Sequence, residues 1–357
     1  MRAATYNGRR DVRLETVSDP KIESPDDVIL RITSSAICAS EVELYYRHGV
    51  DYVPIGTVLG HEYVGVVEEV GKSVMRVRRG DRVIGAPNPS CGACRECRAK
   101  LYSQCRVTGR ATFGGTLAGS HAEAMRVPFG DKTLERVPPD LSDEQVVGIG
   151  DQFAGALYFA SLGGDLRGKP VGVLGMGLLG LMTVVALRLL EADPVIAIDV
   201  IPERLTRAEG LGAVAVDARI ERVGRRMREL SDGEGVDFVI DASSDALALT
   251  LGVGGMAPGG TLVLGGTRVE DPLPLPAATR WKNIRVFPAM PQSAGWIRLA
   301  LQWMSAGKLD LASFATDKLS LEDAPAGFLR LDRSPLFGFE EEYNPVAESC
   351  LMVTLQP

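Results

Sequence analysis

The sequence predicts an α/β protein of two domains, one rich in strands and one built on a parallel sheet crossed by helices. Three observations predict it. At 357 residues the chain exceeds what one hydrophobic core serves, and 45% hydrophobic residues supply ample core material. Up to about residue 142 it carries short β-rich runs, among them 27–33 and 63–70, divided by Gly, Pro and Asp turns. From about 143 to 286 apolar strands alternate with helical stretches, the pattern of a parallel sheet with crossover connections.

Taken in order, residues 1–10 read as a first strand. In the alternating part, strands are expected at 170–174, 195–199, 237–240 and 261–264, with helices over 178–191 and 203–211. A helix follows over 296–305, another within 321–331 where Asp323-Ala-Pro-Ala opens it, and residues 351–355 read as a final strand. There is no internal repeat and no low-complexity segment.

Charge and composition exclude several classes of function. The net charge is -7, and Lys and Arg are scattered except near 222–228, so no footprint for a phosphate backbone is present and nucleic acid is not an expected partner. No basic flank precedes an apolar run at the start, and no apolar segment reaches spanning length. The expectation is a soluble, unexported, cytoplasmic protein without a membrane partner. Five of the six cysteines fall into two metal-type patterns and leave only Cys350, which fits a reducing compartment and argues against a disulfide framework.

The first metal pattern is Cys91, Cys94, Cys97 and Cys105, separated by two, two and seven residues. Four thiolates so close together can close a tetrahedron around one metal, and a closed site is structural. The second pattern is Cys38 with Gly60-His61-Glu62. Their separation is too long for a small zinc finger but suits two loops meeting in a fold, as in a catalytic site.

A third pattern is Gly175-Met176-Gly177-Leu178-Leu179-Gly180, after the apolar strand 171–174 and before a helix. The first glycine permits a tight turn, the second lets the backbone approach a pyrophosphate, and the third lets the helix pack closely, while the helix N-terminus offers free N–H groups. Asp199 ends the next strand, where a carboxylate accepts from the adenosine ribose hydroxyls and repels a 2′-phosphate, favouring NAD(H) over NADP(H). Arg204 is placed either to reach the adenosine end or as a helix-surface charge.

Together these residues resemble the zinc-dependent medium-chain dehydrogenase/reductase family, the alcohol dehydrogenase group, over almost the whole chain to about residue 332. Gly60-His61-Glu62, Gly65, Gly71 and Val74 match its zinc signature, and the four cysteines match its structural-zinc lobe. The resemblance implies a GroES-like catalytic β domain at 1–148 with 288–357, carrying the lobe at 88–110, and a doubly wound Rossmann NAD-binding domain at 149–287. It implies Cys38 and His61 as ligands of a catalytic zinc. The third ligand falls at the start of the linking helix, where Asp151 matches the formaldehyde dehydrogenase-like branch, the competing reading being a helix N-cap, for which Asp is also a preferred residue. Glu62 would lie beside the metal, orienting the site or exchanging with bound water.

The implied reaction is zinc-assisted hydride transfer between an alcohol, or its aldehyde or ketone, and NAD(H), by a homodimer or homotetramer. Ser40, two residues after Cys38, fits a proton relay or a turn cap. Two other functions compete: an aldehyde dismutase that retains its nicotinamide, and a catalytically silent NAD-binding protein. The second is suggested by departures from the family, namely Ala39, Glu41 and Glu43 after Cys38, with the relay histidine missing, and Gly155 in place of a threonine. His48 and Glu43 are alternative relays or surface groups. His121 is expected to pack rather than bind metal, and Tyr45, Tyr46 and Phe153 line a substrate pocket or belong to the core. Segment 334–349 has no functional account.

Overall fold

Residues 1–49, 53–267, 275–332 and 351–357 are described by the computed structural model. The 334–349 segment, Cys350 and the side chain of His48 lie outside the described residues. Two units are present: Met1–Ala154 with Gln292–Pro357, and Gly155–Pro291.

The first unit begins with strands β1 (Arg2–Tyr6), β2 (Val12–Thr16), β3 (Val28–Ile37), β4 (Thr57–Val58), β5 (Glu62–Val70), β6 (Arg82–Gly85), β7 (Ala124–Val127) and β8 (Leu134–Arg136). β3 and β5 are its spine, because both are apolar on the inner face. Val28, Leu30 and Ile32 from one and Tyr63 and Val67 from the other bury together with Phe113 and Met125. Tyr63 meets Phe113 edge to face at 5.8 Å, the geometry aromatic quadrupoles favour. The antiparallel register sets Ala36 opposite Glu62, which brings the chain just after β3 alongside the chain just before β5. Cys38 and His61 leave from those two points.

The second unit holds β9 (Val171–Leu174), β10 (Val195–Asp199), β11 (Val214–Asp217), β12 (Val236–Asp241), β13 (Met256–Leu264) and β14 (Arg285–Pro288) in one parallel sheet ordered β11-β10-β9-β12-β13-β14. Numbered from β9 this is the doubly wound order 3-2-1-4-5-6, with its switch point between β9 and β12. The four inner strands are those expected from sequence. β11 and β14 were not, because as edge strands they are half exposed and lack a continuous apolar run. Helices Leu178–Leu189, Pro202–Gly210, Val223–Glu229 and Ala246–Gly255 connect the strands.

The chain then returns to the first unit through helices Ile297–Ser305 and Ala324–Asp332 and strands β15 (Ala315–Ser320) and β16 (Met352–Gln356). β16 pairs antiparallel with β3, completing a seven-stranded sheet ordered β15-β16-β3-β5-β6-β8 with β7 on β3; β2-β1-β4 form a smaller sheet. Among the described residues no helix is long and apolar enough to cross a membrane.

Candidate active site

Cys38, His61, Glu62 and Asp151 each offer a ligand atom, and those atoms all lie within 4.8 Å of one another. Three elements bring them together. Cys38 follows β3 and caps the short helix Ala39–Glu41, His61 precedes β5 with Glu62 as its first residue, and Asp151 stands at the head of helix Gln152–Ser161. His61 Nε2 is 3.5 Å from Asp151 Oδ2. Burial works against a charged His61, but Cys38, Glu41 and Asp151 around it outweigh burial and raise its pKa well above the usual value. Burial raises the Cys38 thiol.

Glu62 is fully buried and neither of its carboxylate oxygens has a hydrogen-bond partner. Burial, then the charge of Asp151, push its pKa well above the carboxylate range. An orphaned buried carboxyl is costly, and a cation amid these four donors would satisfy it. The donor set, one thiolate, one imidazole and carboxylate, is the chemistry of a zinc site with a position left open.

Hydrogen bonds around the cluster fix its geometry. Gln152 Nε2 donates to Cys38 Sγ at 2.8 Å and Ser40 Oγ donates to the same sulfur at 3.1 Å. Ser293 Oγ donates to Asp151 Oδ1 at 3.2 Å. Glu41, fully buried, accepts from Cys38 N at 3.1 Å and from Gly60 N at 2.8 Å, tying the two ligand segments together. Burial alone would raise Glu41, but His121, His61 and the Cys38 N–H bring it down to about 2. His121 Nε2 sits 3.3 Å from Glu41, an ion-pair approach without hydrogen-bond geometry, and its Nδ1 is 2.9 Å from Ser35 Oγ. His121 is thus packed behind the cluster, outside the group of candidate metal ligands.

Cys91, Cys94, Cys97 and Cys105 converge as a second group within 4.8 Å. Sulfur separations are 4.0 Å for Cys91–Cys97 and 3.9 Å for Cys94–Cys105. A tetrahedron with metal–sulfur bonds of about 2.3 Å has edges of about 3.8 Å. Backbone N–H groups of Ala93 and Cys94 donate to Cys91 Sγ, and that of Cys91 to Cys105 Sγ, each at 3.4 Å. Burial opposes ionisation of Cys105, yet donors from Cys91 and Thr108 bring its pKa down to about 6.

The glycine turn follows β9. Gly175 has φ +84°, and a Cβ there would lie 2.7 Å from Ser243 Cα after β12, so both conformation and space require glycine. A Cβ on Gly180 would strike the Gly175 carbonyl. At Gly177, by contrast, a Cβ would meet only the Arg204 guanidinium, at 3.9 Å, leaving open space beside the backbone. Gly177 caps helix Leu178–Leu189, whose first N–H groups at Leu178, Leu179 and Gly180 have no carbonyl to bond within the helix. Open space, orphan donors and a cation fit a pyrophosphate. Asp199 is buried: Oδ2 accepts from Met176 N and Oδ1 from Val200 N and Ile201 N, so it braces the turn as well as facing it.

The sequence profile of the Alcohol dehydrogenase GroES-like domain matches residues 24–138, and that of the Zinc-binding dehydrogenase matches residues 179–306. The zinc-type alcohol dehydrogenase-like protein AdhB of Bacillus subtilis is 31% identical, with the whole of both chains covered. The chain belongs to the zinc-dependent medium-chain dehydrogenase/reductase family. Among solved structures, alcohol dehydrogenase TADH from Thermus sp. ATN1 is 34% identical with a TM-score of 0.86, covering 100% of this chain and 99% of that one. A zinc-binding dehydrogenase from Sinorhizobium meliloti 1021, solved bound to NADP, is 26% identical with a TM-score of 0.83 over 100% and 99% of the two chains. This dehydrogenase is accordingly an oxidoreductase of the alcohol dehydrogenase type, with zinc and a nicotinamide dinucleotide as its cofactors.

Sequence reasoning missed Gln152 and Ser293 and treated Glu41 only as a departure. Glu41 was findable, since an acid three residues after a helix-opening residue reaches back to its N–H, as in a capping box. Gln152 and Ser293 carry no such local signal. Tyr45 and Tyr46 are buried in a core cluster with Tyr6, Val42 and Phe328, and Phe153 is fully buried.

Proposed function

We propose that the protein interconverts an alcohol with its aldehyde or ketone using NAD(H), with Cys38, His61 and Asp151 holding the catalytic zinc. The observation that carries this is the convergence of those three donors around the orphaned Glu62 carboxyl. When bound, zinc acts as a Lewis acid that eases loss of the alcohol proton, and NAD⁺ accepts hydride from the carbinol carbon. Cys38 and Asp151 contribute negative charge and His61 a neutral nitrogen. Ser40, half-buried and bonded to Cys38 Sγ, is positioned to pass the alcohol proton outward. Glu62 orients the site from within. Cys91, Cys94, Cys97 and Cys105 hold the structural zinc.

Gly175 and Gly177 shape the pyrophosphate turn, the N–H groups of Leu178, Leu179 and Gly180 bind it, and Arg204 adds positive charge. Asp199 selects NAD(H), through the ribose hydroxyls. Asp199→Ala is expected to lower the NAD⁺ over NADP⁺ preference in kcat/KM by roughly tenfold or more, and to weaken both cofactors because three backbone donors lose their acceptor. An unchanged ratio removes Asp199 from the ribose contact.

Assembly as a homodimer or homotetramer is supported by β14, a sheet-edge strand near which Trp281 is 78% and Phe287 45% exposed. Thiolate-rich metal sites suit the cytoplasm. The function is tested on protein purified without chelators, by zinc per subunit and by NAD⁺- and NADH-linked rates on a panel of primary and secondary alcohols and their carbonyl products. Two zincs and cofactor-dependent turnover are expected. Turnover of an aldehyde with no added cofactor would instead indicate a dismutase, and one zinc with no turnover a silent protein.

A further inference from the structure

Asp151 is held by a hydrogen-bonded strap that originates in the four-cysteine lobe. Cys105 closes the lobe's last turn, Tyr102–Gln104, with its N–H donating to the Tyr102 carbonyl at 3.1 Å. Within that turn Ser103 is buried and makes two bonds to one side chain: its N–H donates to Gln292 Oε1 at 3.0 Å, and its Oγ accepts from Gln292 Nε2 at 2.7 Å. Gln292 is itself buried, and these bonds cross 189 residues of sequence. The next residue, Ser293, donates its Oγ to Asp151 Oδ1 at 3.2 Å, leaving Oδ2 facing His61. The same segment packs against the lobe directly, since a Cβ on Gly295 would lie 3.1 Å from the Tyr102 ring.

We propose that Gln292 and Ser293 are positioning residues that couple the thiolate lobe to the catalytic metal site by fixing the Asp151 carboxylate. The physical reason lies in the paired amide bonds. A side-chain amide that both accepts from and donates to one residue fixes the orientation of its own backbone, and hence of its neighbour's hydroxyl. Ser293 then occupies one oxygen of Asp151 and leaves the other to the metal, as outer partners of ligating carboxylates do. Ordering of the lobe by its own metal is thereby transmitted to the second site, so the four cysteines serve catalysis without touching substrate.

The inference rests on the proposed assignment of Asp151 as a zinc ligand. Its test is the rate at which each zinc leaves the full-length protein to a competing chelator, with the cobalt-substituted catalytic site read by its absorption spectrum. In Gln292→Leu and in Ser293→Ala, catalytic-site zinc is expected to leave about 10- to 100-fold faster and the cobalt bands to shift, while the four-cysteine zinc leaves at the wild-type rate. Ser293→Thr, which keeps the hydroxyl, should restore wild-type release. Wild-type release and spectra in both Gln292→Leu and Ser293→Ala would overturn the coupling. Faster loss of both zincs in these variants, with no rescue by threonine, would also overturn it and reduce the segment to a packing role. If the wild type binds no second zinc, the assignment of Asp151 fails rather than the strap.

Discussion

Asp151→Ala should take the zinc content from two per subunit to one and abolish NAD-linked turnover, with little loss of folding stability. Cys38 and Asp151 supply the two negative charges that match a divalent cation, and His61 the third donor. Without Asp151 only two of these donors remain and the metal keeps an uncompensated charge in a buried site. Outer partners of a metal site are worth 10- to 100-fold in affinity, and a ligand is worth more, so weakening of roughly 10³-fold or about 4 kcal/mol is expected. The metal-free fold should tolerate the change. Burial and then the charge of Asp151 raise the Glu62 pKa, while Asp151 favours the charged form of His61, so its removal takes away one unfavourable and one favourable contact among buried groups. One competing outcome has a structural cause. Glu62 lies in the same cluster with both oxygens unpartnered and becomes the remaining carboxylate able to reach the metal. If the single variant keeps two zincs, Asp151→Ala with Glu62→Gln decides the matter. Loss of the second zinc only in the double variant would make Glu62 the stand-in, and retention in both would remove Asp151 from the site. Metal analysis together with Tm separates these cases.

Asp151 was reached through the family resemblance, which implies a ligand at the start of the linking helix, and the structure brings its carboxylate into one cluster with Cys38, His61 and Glu62. Cys38 and His61 were legible for a related reason: glycines and a histidine at fixed spacing constrain a loop whose geometry the metal dictates. The glycine turn after β9 was legible because strand, turn and helix each left a local mark. The bracing of the site was not. Ser103 and Gln292 are 189 residues apart, and nothing in either neighbourhood announces that two amide bonds will join them. Asp199 illustrates the middle case. Its place at the end of β10 was readable, and its bonds to Val200 and Ile201 are local, but its bond to Met176 depends on the approach of two strand ends that only folding creates. Edge strands β11 and β14 escaped notice because partial exposure dilutes the hydrophobic pattern on which strand recognition depends.

Replacing one lobe cysteine, Cys97→Ser, is expected to release the structural zinc and unfold the 91–105 loop. Apart from the Ser103–Gln292 bonds at one end and the Arg106–Glu96 pair, that loop has little else to order it. Its regular structure is one four-residue helix, Arg95–Arg98, and the single turn Tyr102–Gln104, both far below the length at which helices persist unaided. Cys97 and Cys105 are buried while Cys91 and Cys94 are partly exposed, so the sulfurs are the lobe's interior. Without metal, four thiols about 4 Å apart either stay protonated or repel one another as thiolates, and neither state replaces the bonds lost. Structural zinc in small peptides contributes roughly 10–16 kcal/mol of binding energy that is also folding energy; a lobe set in a larger domain realises only the local share of it. The expected result is therefore local. Hydrogen exchange should accelerate across 91–105 and proteases should cut there, while β3 and β5 remain protected. Acid should act the same way on the unaltered protein. Protons compete with metal for the sulfurs, and in the metal-free lobe Cys105, opposed by burial but brought down to about 6 by donors from Cys91 and Thr108, is a thiolate able to rebind metal above that pH and a thiol below it. Wild-type exchange rates across the loop in Cys97→Ser, with zinc content unchanged, would show that the lobe is held by packing instead.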